Sequence, residues 1–370
     1  MTPAGTRWGT TSAVIVAVII GLAAVDQFLA RVESAEMTSS AQRSYEAGSR
    51  LLAEGNAGKA IDALRDAHGL ERQNPEYELQ LVAALTAAGK TADAEPLLTD
   101  ILQREPNDAR ANLTAARLMI RKGDTAEAEA YYHRAIYGGW SGDSSPQSAA
   151  HRVSTRMELI DLLARKNQKQ ELLAELISLQ AESPANAEIQ KRLGKLFLLA
   201  GSPARAASVY EALAGRDPTD IEAYEGMGEA ELEQGNYAAA HQAFFRASSR
   251  DPANESVRTH LETLETVAEL DPTVRQLTSA EKYSRSIRIL DMARAALDRC
   301  VDSHPSDETT RLLKAAGMAI AGQAPAHVTN EVAEGVLSLA EELWRADRAA
   351  CADRPADRAA LDLLMNKLGS

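Results

Sequence analysis

Apolar positions change their spacing twice along this chain. From Ala13 to Val25 they run without interruption as AVIVAVIIGLAAV. A polar stretch follows from about Arg31 to Ser44 and contains MTSSAQ; residues 31–40 read as a linker, a short solvated tether. From Ala41 onward apolar residues return at the steps of amphipathic helices. The pattern predicts helix pairs over residues 41–254 and a helical capping region over residues 255–370. In that last region it predicts helices at Glu255–Leu270, Ser279–Val301, Ser306–Ile320 and Asn330–Cys351. A short final helix starts near Pro355 and holds Leu361, Leu364 and Met365. One apolar face carries Tyr283, Ile287, Leu290, Leu297 and Val301; another carries Leu337, Trp344 and Cys351.

A longer period organises the middle of the chain. Gly55, Gly89 and Gly123 are 34 residues apart, as are Pro184, Pro218 and Pro252, and so are Gly201 and Gly235. In that frame repeats begin near Ala41, Pro75, Ala109, Val153, Ala187 and Ile221. The sixth aligns Tyr224, Met227, Gly228, Gly235, Ala240, Phe244, Ala247 and Pro252; the fifth aligns Leu193, Gly194, Phe197, Gly201, Ala206, Tyr210 and Pro218. Period and pattern together resemble the tetratricopeptide repeat, two antiparallel helices joined by a turn. The resemblance implies an all-α fold, a right-handed solenoid of about six repeats.

Each recurring position has a physical reason. A small residue in the first helix (Gly48, Ala116, Gly194, Gly228) lets the second helix approach, where Ala60, Ala94, Ala128, Ala206 and Ala240 face it. Four residues later a large group fills the space: Leu64, Leu98, Tyr132, Leu176, Tyr210 and Phe244. The turn glycine adopts a left-handed conformation, and proline ends the second helix. Between Gly123 and Asn167 the interval is 44, so about ten residues are inserted, in the stretch 138–152 (GGWSGDSSPQSAAHR). Its turn formers predict a loop bearing Trp140. Ile160 and Leu172 stand where the fourth repeat should have small residues, which predicts splayed helices.

Charge and composition narrow the function classes. The net charge is -13, from 40 basic against 53 acidic residues, which argues against nucleic acid as a partner. Only 4% of residues are aromatic, which disfavours a fold of many short strands. Arg7 precedes the apolar run, while Asp26, Glu33 and Glu36 dilute Arg31 after it. That asymmetry orients the N-terminus to the cytoplasm and exports the downstream chain. Residues 1–30 thus read either as an uncleaved transmembrane signal-anchor, spanning Trp8 to Phe28, or as a cleaved signal peptide. The expected location is the inner membrane with the body in the periplasm, or a soluble periplasmic or secreted body.

In the family resembled, first helices line a concave face where peptides or partner helices lie. The third repeat places Arg110, Thr114, Arg117 and Arg121 on one stripe; the fifth places Lys191, Arg192 and Lys195 together; the sixth presents Glu222, Glu225, Glu229 and Glu233. Candidate groove residues are therefore Arg110, Arg117, Arg121, Lys191, Arg192, Lys195, Glu225 and Glu229. The stripes either receive a partner or neutralise one another, Lys191 and Lys195 pairing with Glu225 and Glu229. No Lys/Asn carboxylate-clamp pattern is present.

Catalytic signals dissolve on inspection. AAGKT at Ala87–Thr91 lacks the upstream glycine and strand of a phosphate loop. Ser279 and Lys282 have Ser-x-x-Lys spacing without companion motifs, and Ser279 reads as a helix start. Asn112-Leu113-Thr114 is a glycosylation sequon placed mid-helix. His68, His133 and His241 are dispersed, so no metal or cofactor is expected. Short links make the first and third C-terminal helices parallel and bring Cys300 and Cys351 to adjacent ends, which with export predicts a disulfide. The expected role is non-enzymatic: a scaffold for protein or peptide partners in envelope assembly or in folding and secretion of exported proteins, membrane-bound through its N-terminal helix, with no small-molecule substrate. The alternative is an accessory subunit of an envelope enzyme complex, such as cytochrome maturation or cell-wall synthesis machinery.

Overall fold

A computed structural model describes residues 6–140, 145–182, 186–301, 306–322, 327–351 and 358–369; the side chains of residues 6–19, 21 and 23 lie outside that description. Pro184 and Pro355 fall outside it too. Among the described residues there are helices and no strand. The chain divides into two compact units, Met1–Glu182 and Ser183–Ser370. The division falls inside the repeat array, not at residue 254; repeats contact only their neighbours, so no single core runs the length of such an array.

In the first unit helices pair in order: α1 (Thr6–Ala53) with α2 (Ala57–Leu70), α3 (Pro75–Ala87) with α4 (Thr91–Arg104), α5 (Ala109–Lys122) with α6 (Thr125–Tyr137), and α7 (Pro146–Arg165) with α8 (Lys169–Glu182). The turn within each pair needs one left-handed residue. Gly55, Gly89 and Gly123 supply it here at φ 81°, 74° and 83°, and Asn167 does so in the fourth repeat at φ 54°. First helices begin on a capping side chain: Asn74 accepts from the amide of Glu76, and Asp108 accepts from that of Ala111 at 2.7 Å. The large residue of each second helix is buried, as with Leu64, Leu98, Tyr132 and Leu176.

Two expectations are corrected here. The predicted tether at 31–40 is helical: α1 continues from Thr6 into the first repeat. From Leu22 to Ala47 the sequence has neither glycine nor proline, so nothing ends the helix. No helix among the described residues is long and apolar enough to cross a membrane. The second correction concerns the insertion. Pro146–Arg152 are not loop but the opening turns of α7, because Ser145 caps the amide of Ser148 and Pro146 sits at a position where no amide hydrogen is needed. Trp140 is buried instead of displayed: its Nε1 donates to the Ala135 carbonyl at 3.0 Å and its ring stacks on His151 at 5.1 Å. Residues 141–144 of the insertion lie outside the described set.

The second unit opens with α9 (Ala187–Leu199) against α10 (Pro203–Arg216) and α11 (Ile221–Glu233) against α12 (Tyr237–Ser248). Asn186, Asp220 and Asn254 repeat the capping role seen before. Tyr210 is fully buried, with Gly194 and Gly226 pressed so closely against its ring that a Cβ on either would collide with it. Then come α13 (Glu255–Leu270), α14 (Ser279–Asp298), α15 (Asp307–Ala321), α16 (Asn330–Ala350) and α17 (Ala359–Leu368). Their core gathers Ile289, Leu290, Ala293 and Leu297 with Leu343, Leu361 and Leu364. Tyr283 is not in that core, and Ile287 and Val301 pack at its edge, so the buried face of α14 is rotated from the predicted one.

Helix α17 returns to the repeats. The Tyr237 hydroxyl donates to the Leu363 carbonyl at 3.1 Å, and Lys367 pairs with Asp271 at 2.5 Å. Asp271 is buried and also accepts from the amide and hydroxyl of Thr273. Burial by itself would raise its carboxyl, but the hydrogen bonds from Lys367 and Thr273 and the Lys367 charge outweigh burial and hold it below the usual carboxylate range.

Candidate functional site

The first unit contains a cavity of about 380 Å³ built from successive repeats. Leu52 of α1, Ala83, Thr86 and Ala87 of α3, and Thr114 and Ile120 of α5 make a largely apolar lining. Arg117, Arg121, Tyr132 and Glu158 supply its polar groups. First-helix residues one turn apart face the same way, which is why Arg117 and Arg121 both reach this cavity. Glu158, from α7, accepts from Arg117 through both oxygens, Nε at 3.0 Å and Nη2 at 2.5 Å, and takes the Tyr132 hydroxyl at 3.1 Å. The phenol of Tyr132 is pushed well up, first by burial and then by the Glu158 carboxylate, so it stays a donor.

Two other members of that stripe, Arg110 and Thr114, are used internally. Arg110 is ion-paired with Glu76, and Thr114 is buried with its hydroxyl donating to the Arg110 carbonyl at 2.8 Å. Arg121 is exposed and makes no hydrogen bond or ion pair with any described residue. Of the three arginines foreseen on this stripe, Arg121 alone keeps its charge available.

In the second unit the charged residues of α9 and α11 meet each other. Lys191 pairs with Asp220 at 3.0 Å and with Glu222 at 3.3 Å, and Lys195 pairs with Glu222 at 2.6 Å. Their partners, the α11 cap Asp220 and first-turn Glu222, lie one to two turns before Glu225 and Glu229, the pairing the spacing suggested. Glu225 instead accepts from Asn254 Nδ2 at 2.5 Å. Burial, followed by the charges of Glu229, Glu222 and Asp251, raises its carboxyl. Glu229 and Arg192 are exposed on α11 and α9. This surface is acidic beside a neutralised lysine pair.

Cys300 and Cys351, just past α14 and α16, are brought together with Cα atoms 5.9 Å apart, a separation a disulfide spans. Beside them Arg358 pairs with Asp347 at 3.0 Å in a fully buried contact and donates to the Ala296 carbonyl at 2.9 Å. The other sequence signals are structural. Gly89 is a repeat turn. Asn112 is buried, its amide donating to the carbonyls of Pro106 and Asp108 at 2.9 and 2.8 Å. Ser279 opens α14 as expected, with Glu281 in the first turn, and the cap before it is Thr278, which forms a reciprocal capping box with Glu281. His133 faces Glu175 at 3.8 Å and His241 stacks on Phe245.

Sequence reasoning missed two residues of this picture. Glu158 lies 41 residues from Arg117, off the repeat interval because of the insertion. The isolated hydroxyl of Thr86 has no sequence signal at all.

Comparison with known proteins agrees with the helix pairs. Family models described as tetratricopeptide repeats match residues 85–137 and 197–262 in one case and 159–221 in another. No curated protein matches the sequence. Among solved structures, PilW, described as a widely conserved type IV pilus biogenesis factor, is 17% identical over 60% of this chain and 98% of its own, with a TM-score of 0.41. YrrB, described as having an unusual peptide-binding site, is 16% identical over 55% of this chain and 98% of its own, with a TM-score of 0.42. PilF of Pseudomonas aeruginosa is 17% identical over 63% of this chain and 93% of its own, with a TM-score of 0.33. With the turn residues, the buried large groups and the capped first helices in their repeating places, residues 85–137 and 159–262 of this chain carry tetratricopeptide repeats.

Proposed function

We propose that this chain is a non-enzymatic scaffold on the periplasmic side of a bacterial inner membrane. It holds an extended segment of a partner protein during envelope assembly or the folding and secretion of exported proteins. The observation that carries the reading is the cavity in the first unit, where four successive repeats line one recess and Arg121 is left available. A lone helix pair has no such recess; stacking creates it. Export is supported by the apolar run Ala13–Val25 with its charge asymmetry, and by a cysteine pair of the kind that persists in oxidising compartments.

The test places a photo-crosslinking residue at Ala83 or Ala87 in intact cells, with and without reversal of Arg117, Arg121 and Lys195 to Glu. Discrete partner adducts in the wild type that disappear on reversal support the scaffold; an unchanged adduct pattern, or none in either, ends it. Protease accessibility after outer-membrane permeabilisation checks the compartment, and membrane fractionation separates an anchored body from a released one.

A further inference from the structure

We propose that the cavity between α1, α3, α5 and α7 is a side-chain pocket for an acidic peptide in extended conformation. An aliphatic side chain enters it, and the carboxylate of an Asp or Glu two positions away is taken by Arg121. The inference rests on the scaffold reading and names the chemistry of its ligand.

Three observations on different atoms point the same way. Leu52, Ala83, Ala87 and Ile120 give the recess an apolar floor, which favours an aliphatic group over a charged one. Thr86 lines the same recess, is 5% exposed, and its hydroxyl has no hydrogen-bond partner. Helical threonines usually spend that hydroxyl on a carbonyl one turn back, as Thr114 does on Arg110 at 2.8 Å. A buried hydroxyl without a partner is costly, so a ligand that supplies an acceptor gains from it. Arg121, on the turn after Arg117, has no carboxylate of its own among the described residues.

Glu158 clarifies both arginines. It occupies Arg117 through two hydrogen bonds, so its own charge is balanced and does not repel an incoming acid. The ligand's carboxylate is left with Arg121. In an extended chain residues i and i+2 project from one face, so a single strand delivers Leu and Glu together in a Leu-x-Glu register. Its backbone carbonyls offer Thr86 the missing acceptor. A fatty acid would match the floor and the arginine but present only hydrocarbon to Thr86.

The test measures fluorescence anisotropy of the full-length chain in mild detergent with fluorescein-labelled dodecapeptides centred on Leu-Ser-Glu, Leu-Ser-Lys or Ser-Ser-Glu. Leu-Ser-Glu should bind, and each alternative should bind about five- to tenfold more weakly, as befits one exposed ion pair or one small apolar contact. Arg121→Glu should invert the preference toward Leu-Ser-Lys. Thr86→Val, which keeps shape and removes the hydroxyl, should weaken Leu-Ser-Glu binding about fivefold. Equal binding of all three peptides, indifference to Arg121→Glu, or oleate saturating the site where no peptide does would each overturn the assignment. If the peptides fail while groove crosslinks in cells persist, the ligand chemistry is wrong and the scaffold stands; if both fail, the scaffold falls as well.

Discussion

Glycine occupies two opposite situations in these helices, and the contrast is measurable. Gly226 in α11 lies against the buried Tyr210 ring, whereas Gly335 in α16 has nothing near the position of an added Cβ. Both substitutions to Ala gain helix propensity of up to about 1 kcal/mol. Gly335→Ala should therefore stabilise by that order. Gly226→Ala should destabilise by about 1–2 kcal/mol net, overpacking exceeding the propensity gain. Equilibrium denaturation of the two variants reads both signs. Arg156 makes the complementary case for charge. Its guanidinium is nearly fully buried between Glu175 and Glu182, with Nη2 to Glu182 at 2.9 Å. Arg156→Ala leaves Glu175 uncompensated and should cost about 3–5 kcal/mol in the same assay. The small-against-large positions were legible in the sequence because both members sit at fixed offsets inside one repeat. Pairs between repeats were less so: Lys191 and Lys195 chose Asp220 and Glu222, since the offset between neighbouring first helices shifts contacts by one to two turns that periodicity does not encode.

At the scale of elements, boundaries followed from local chemistry wherever a cap or a proline stood at the expected place. Pro75, Ala109, Ala187 and Ile221 each begin a helix as the period required, and Glu255–Leu270 appeared with the predicted bounds. The tether and the insertion were both read as loop from polar composition, and each is helical for its own reason: the tether has no glycine or proline to break it, whereas in the insertion Ser145 and Pro146 open a helix. Docking of α17 was not foreseen, because its contacts join residues far apart in sequence, as with Lys367 and Asp271, 96 residues apart. It carries a pH signature. Asp271's carboxyl is lower in the folded chain than in the unfolded one, so its contribution is full above the ordinary aspartate range near pH ~4 and is lost as pH falls through the depressed value. Thermal melts should therefore show a larger loss of stability between about pH 5 and pH 3 in the wild type than in Asp271→Asn. Identical pH slopes would separate α17 docking from this carboxylate.

For the whole molecule, the cysteine pair ties covalent state to compartment. A bridge between Cys300 and Cys351 would join residues 51 apart in sequence, and a loop of that size stabilises by roughly 3–4 kcal/mol in the chain-entropy model. Protein recovered from the envelope should yield a Cys300–Cys351 linked peptide in non-reducing mass spectrometry. The same chain without residues 1–30, retained in the cytoplasm, should yield alkylatable thiols and melt lower. Free thiols in envelope material would show that the pair is a packed contact with no redox role.

Helix α1 runs unbroken for 48 residues, from Thr6 to Ala53, a rod of about 70 Å at 1.5 Å per residue. A rod transmits torque where a string would not. Grip its leading end, and the heading of the first helix pair is set: the recess that begins at Leu52 would be aimed, like a compass needle on a stiff mast, at a fixed height and bearing. Inserting one residue near Ser39 would then turn that bearing by about 100° without touching a single groove contact.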